Sequence, residues 1–278
     1  MSEAALFLAA PLLMCLLLVG IHCYLGLHVL ARGVIFVDLA IAQVAALGMT
    51  LAYFWGFEHS SLASYLVALT GTFLAALFFA LSGRFKHSIS QEAIIGVIYA
   101  FSSATVILVL DKLSHGAEEM KNTLVGEILW VTWKDVLKVA VIYSVVAIVH
   151  FLLRKPLLRN SFEEKGHWIW DFLFYALFGV VITSSVQVSG VLLVFSFLVV
   201  PSLISALFFQ GILSRLLFGW VLGFILCFLG IVLSYIWDLP SGALIVAVFT
   251  AVPVLGVLVL TFFGNKSRLS SWKKRMAA

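Results

Sequence analysis

Eight long stretches of this 278-residue chain contain no Asp, Glu, Lys or Arg, and the longest, residues 172–214, runs for 43 positions. A helix needs about 20 mostly apolar residues to cross a bilayer. Helices are required there because each backbone polar group must find its partner inside the segment. The runs 4–31, 39–57, 59–83, 93–110, 139–153, 216–237 and 239–265 each supply one span. The run 172–214 is long enough for two, with Gln187-Val188-Ser189-Gly190 as a polar, glycine-containing break. The run 139–153 is short, but Lys138 and Arg154 at its ends can snorkel. The expected fold is therefore all-α and polytopic, with about nine transmembrane helices. One transmembrane domain covers 1–265, and a basic tail follows at 266–278.

Composition excludes the alternative of a water-soluble domain. Hydrophobic residues make up 63% of the chain and charged residues 11%, with a mean hydropathy of +1.17. A soluble chain of this size could not bury so much apolar surface. The three cysteines, Cys15, Cys23 and Cys227, lie far apart in apolar runs and show no metal or disulfide spacing.

The basic residues set an orientation rather than a nucleic-acid footprint. With the C-terminus in the cytoplasm, nine spans put the N-terminus outside. Thirteen basic residues then lie inside: Arg32, Arg84, Lys86, Arg154, Lys155, Arg159, Lys165, Arg215, Lys266, Arg268, Lys273, Lys274 and Arg275. Four lie outside, at Lys112, Lys121, Lys134 and Lys138. Two loops are long. Residues 154–168 lie inside. Residues 111–135 lie outside, and their apolar second half reads either as a re-entrant segment or as an interfacial stretch anchored by Trp130 and Trp133.

Enzyme motifs are absent: the sequence has no HExxH, CxxC, GxSxG or GxxxxGK[ST]. The chain is not expected to be an enzyme or to split ATP itself. Its seven histidines are dispersed. The closest pair, His22 and His28, is six residues apart and so well separated around a helix. These histidines read as packed or interfacial side chains. An ionisable group inside a span is costly and by default suggests function. Asp38, near the inner end of the second span, is the clearest case. It reads as a carboxylate on a substrate path, or as one reaching back to water or to a basic neighbour. Gln43 lies deeper in the same helix, where an amide can bond a neighbouring helix.

Five stretches taken together resemble the ABC-3 permeases, the membrane subunits of zinc, manganese and iron ABC importers. They are GVIFVDLAIAQVAALGMTLA (33–52), QEAIIGVIYAFSSATVILV (91–109), VGEILWVTWKDVL (125–137), VSGVLLVFSFLVVPSLISALF (188–208) and YIWDLPSGALIV (235–246). The DLPSG at 238–242 is the most diagnostic, and the resemblance assigns Asp238, Pro240 and Gly242 to a structural turn before the last helix. The resemblance implies a multi-pass permease of the cytoplasmic membrane that carries a divalent metal and binds no cofactor of its own. It further implies a homodimer in the lipid bilayer, a cytoplasmic ATPase that uses the ATP, and an extracytoplasmic metal-binding protein. Ser161-Phe162-Glu163-Glu164 matches the family's SFDPE coupling segment, which contacts the ATPase and is followed by a short helix.

One departure concerns the substrate. The family pattern in the second span is commonly D-x-x-x-H, whose two ligands share a helix face and, from two protomers, could hold zinc or manganese. Here Gln43 stands in place of the His. Asp38 lies five residues before it, about 140° away around an ideal helix. The resemblance therefore points to Asp38 and Gln43 as the substrate path without naming the metal. A non-metal substrate for the same machine, or a secondary transporter without an ATPase, are the alternatives.

Overall fold

The structure is a computed structural model that describes residues 3–58, 61–83, 90–113, 116–126, 128–162 and 167–263. The helices in order are α1 (Glu3–Arg32), α2 (Val37–Phe54), α3 (Leu62–Ser82), α4 (Gln91–Leu110), α5 (Gly116–Val125), α6 (Trp133–Leu152), α7 (Arg154–Phe162), α8 (Trp168–Ser189), α9 (Val191–Phe208), α10 (Ile212–Trp237) and α11 (Ser241–Phe263). A 3₁₀ turn, Ile128–Trp130, leads into α6. Among the described residues there is no strand, and nine helices, all but α5 and α7, are long and apolar enough to cross a membrane.

The break inside 172–214 falls at Gly190, which takes φ 74 between the end of α8 and the start of α9. The short run 139–153 belongs to a longer helix. Thr132 and Asp135 form a capping box, so α6 begins at Trp133 and takes up Lys134, Asp135 and Lys138. Lys138 Nζ then donates to Gln187 Oε1 at 3.1 Å across to α8.

Lipid tails are as apolar as leucine, so helices in a bilayer are held by close packing rather than by exclusion from water. Small residues make that packing possible here. A Cβ at Gly26 would lie 2.3 Å from Leu198 O, which brings α1 onto α9. At Gly48 it would lie 2.5 Å from Ala68 Cα, which brings α2 onto α3. The contacts sort the spans into two groups, α1 with α9, α10 and α11, and α2 with α3, α4 and α8; α6 bridges α1 and α8. The outward face of α6 (Leu137, Val141, Val145, Ile148) is exposed and wholly apolar, as a lipid-facing surface should be.

The described part of the long loop packs onto the junctions between spans, with Ile128 wholly buried. A Cβ at Gly126 would meet Ser189 C at 2.3 Å, one at Gly190 would meet Gly126 N at 2.6 Å, and one at Gly242 would meet Val125 O at 1.8 Å. Trp130 and Trp133 are exposed beside this junction, as interfacial anchors are. The DLPSG stretch forms the turn between α10 and α11. Asp238 closes α10 in the left-handed conformation (φ 51), the Leu239 N–H donates to Ser234 O, and Pro240 stands just before the first residue of α11, where its missing N–H costs nothing.

Candidate transport site

The site begins at the junction of α1 and α2. Gly33 adopts φ 68 and ends α1, which no β-carbon-bearing residue would do as readily. The chain then turns through Phe36, whose backbone N–H donates to Glu92 Oε1 at 3.1 Å. Glu92 sits in the first turn of α4, so this bond ties the start of α2 to the start of α4. Asp38 follows in the first turn of α2, where the helix dipole favours an anion. It is 1% exposed; neither carboxyl oxygen has a well-aligned hydrogen bond among the described residues, and the nearest donors are the backbone N–H groups of Asp38 and Leu39. Glu92 Oε2 is likewise buried and unpartnered, and the two carboxyl groups are electrostatic neighbours.

Buried polar groups almost always find partners. Asp38 at the start of α2 and Glu92 at the start of α4 thus leave three carboxyl oxygens without a hydrogen-bond partner among the described residues. Among the described residues no three His, Cys, Asp or Glu side chains converge into a metal site.

Gln43 is also buried but does not join the pair. Helix α2 is continuous α-helix over Val37–Phe54, so Gln43 stays about 140° around from Asp38. The structure brings Glu92, a residue that sequence reasoning did not single out, to the start of α2 through the Phe36 N–H.

A second cluster of polar side chains lies under α7. Ser161 is buried, and its Oγ accepts from Arg32 Nε at 3.0 Å and lies 2.8 Å from His28 Nδ1. Arg32 pairs with Asp171 in the first turn of α8, and its guanidinium lies 4.3 Å from the Phe174 ring centroid. Asn160 Nδ2 donates to the same Asp171 oxygen at 2.7 Å, and Asn160 Oδ1 accepts from the His167 N–H. Phe162 is half-exposed at the end of α7, its ring edge-on to His28 at 5.8 Å. Ser161 and Phe162, the described part of the matched segment, close helix α7. Glu163 and Glu164 lie outside the described residues.

The sequence profile of the ABC 3 transport family matches residues 5–260. The chain belongs to that family. Its members' permeases include proteins of similar length and sequence throughout. The manganese transport system membrane protein MntC of Listeria monocytogenes is 24% identical over 260 residues, covering 90% of this chain and 88% of that one. A Haemophilus influenzae protein named "Probable iron transport system membrane protein" is 25% identical over 259 residues, covering 90% and 88%. The structure of PsaBC from Streptococcus pneumoniae in complex with Fab has the same fold, with a TM-score of 0.74 at 20% identity over 96% of this chain and 95% of that one.

In this ABC 3 permease, several polar residues carry more than the sequence disclosed. Arg32 reads in the sequence as a solvated topology marker, yet it is buried and ion-paired. His28 lies far from His22 as expected, but its ring is 6.5 Å from that of His150, 122 positions further on. Asp171 and Glu92 each bound a charge-free run, and that position at a run's edge is the only signal the sequence offers for them.

Proposed function

We propose that this chain is the membrane-spanning subunit of an ATP-driven importer of a divalent transition-metal ion, and that Asp38 and Glu92 receive the ion in the membrane. The observation that carries this reading is the buried Asp38 carboxyl group at the start of α2, with both oxygens unpartnered, together with the unpartnered Oε2 of the half-buried Glu92 at the start of α4. A carboxylate-only donor set suits manganese better than zinc, which favours imidazole and thiolate. Manganese and iron are also the metals in the relatives' names. Two copies of the chain facing each other across a shared path would supply four carboxylates, enough to replace much of an ion's hydration shell. Gln43 then lines the helix without being a principal ligand.

The subunit works as a homodimer in the cytoplasmic membrane. A metal-binding protein delivers the ion on the outside, and ATPase subunits dock on the inside at α7 and the residues after it. Within α7, Phe162 offers an apolar contact beside a charged loop. Phe162→Ala should weaken ATPase association or separate hydrolysis from uptake while leaving membrane insertion intact; unchanged binding and unchanged uptake would remove α7 from the docking surface.

The test of the ion path is manganese uptake at matched expression. Asp38→Asn and Glu92→Gln keep size and remove charge, and each should reduce uptake strongly. Asp38→Glu should retain more, and Gln43→Ala should have the smallest effect. Equal uptake by wild type and Asp38→Asn would make Asp38 structural and end this assignment.

A further inference from the structure

A cavity of about 950 Å³ opens on the membrane face between α1, α6 and α10, away from the α2–α4 carboxylates. It exists because small side chains line α6 there. Ala140, Ser144 and Ala147 recur at helical spacing on one face of α6, opposite Gly20 of α1. Trp220 of α10 crosses to α1, its Nε1 donating to Gly20 O at 2.9 Å, and walls the far side. Both α6 and α10 pack on α1, and neither packs extensively on the other, so the groove is left open to lipid.

Its shape and charge are those of a lipid. The lining on α6 runs from Ala140 to Phe151, about 17 Å at the helical rise, and Arg154 at the start of α7 follows it. One leaflet of hydrocarbon is about 15 Å deep, so a whole acyl chain fits along it. The groove is apolar along that length and cationic at one end only. Arg154 lines the end, with Lys155 next in the chain and Arg215 beside the lining residue Leu216. Neither Arg154 nor Lys155 makes an ion pair among the described residues, and both are exposed. Basic pockets between transmembrane helices at the membrane boundary take anionic headgroups. A second copy of the chain fits the groove poorly. Two-fold pairing about the membrane normal would set concave surface against concave surface and bring the two Arg154 side chains to the same depth.

We propose that the groove between α1, α6 and α10 binds one anionic membrane phospholipid, with its phosphate at Arg154 and an acyl chain along Ala140, Ser144 and Ala147. The site is independent of the metal reading. It gives the transporter a place where the charge of the surrounding membrane is sensed.

The test uses the full transporter in nanodiscs containing equal phosphatidylglycerol and phosphatidylcholine, followed by native mass spectrometry of the lipid that stays bound. Phosphatidylglycerol should be retained in preference to phosphatidylcholine. Arg154→Gln should lower that preference about fivefold. Ala147→Phe should fill the groove and remove bound lipid, whereas Val145→Phe, on the exposed face of the same helix, should leave retention unchanged. Equal retention of the two lipids by the wild type, or an undiminished preference in both Arg154→Gln and Ala147→Phe, would overturn the proposal. So would efficient disulfide cross-linking between copies through Ser144→Cys in a chain lacking its native cysteines, because the surface would then be an interface.

Discussion

On the proposed reading, Asp38 is a residue that transport needs more than the fold does. Burying a carboxyl group away from water costs several kcal/mol or forces it neutral, and Glu92 adds to that cost. Residues of this kind persist where function requires them, at the expense of stability. Asp38→Asn should therefore leave the purified subunit at least as stable as wild type, with a gain of about 1 kcal/mol, although uptake falls. Thermal unfolding in detergent without added metal checks this; a clear loss of stability would mean that the carboxylate holds the fold together. Added manganese should stabilise the wild type and not the variant. The sequence made Asp38 visible because an acid stands out in an apolar run. Its partner was not visible, since Glu92 sits at the edge of a run where charged residues are ordinary, and only the fold brings α4 to α2.

At the scale of elements, glycine positions divide by what surrounds them. Gly242 begins α11 against the carbonyl of Val125, and a methyl group there would need backbone to move. Gly256 lies within α11 with nothing nearby. Gly242→Ala should destabilise the protein by about 2 kcal/mol or more, whereas Gly256→Ala should stabilise it by about 0.5–1 kcal/mol through helix propensity alone. Comparing unfolding temperatures of the two variants checks both signs at once. Most element boundaries were legible in the sequence, because charge-free length is itself the physical requirement for a span. The exceptions have local causes. The start of α6 is set by a capping box that admits charged residues into the first turns, and α7 forms from a polar stretch that packs Leu157 and Ser161 inward.

For the whole molecule, the distribution of basic residues governs how it sits in the membrane. Arg32 is buried in an ion pair and drops out of the thirteen, leaving twelve basic residues against four, so the asymmetry survives. A cysteine at Ser270 should be protected from an impermeant thiol reagent in intact cells, and one at Ser60 should be labelled. Labelling at Ser270 with protection at Ser60 would invert the assignment. The native Cys15, Cys23 and Cys227 are all buried, so the background in such an experiment is low even before they are replaced. Long-range partnership is what the sequence did not disclose at this scale. The pairing of Arg32 with Asp171 and the approach of His28 to His150 depend on how α1, α6, α7 and α8 converge, and no periodicity within one helix encodes that.

The meeting of Gly126, Gly190 and Gly242 has a mechanical consequence. Three pieces of backbone in contact cannot slide by even the width of a methyl group, so the ends of α8 and α10 and the starts of α9 and α11 turn as one piece. The opposite end of α8 is held to α1 and α7 by side-chain bonds instead, through Arg32, Asp171, Asn160 and Ser161. One end of α8 is thus fixed by backbone set against backbone, and the other, beside α7, by a network of polar side chains.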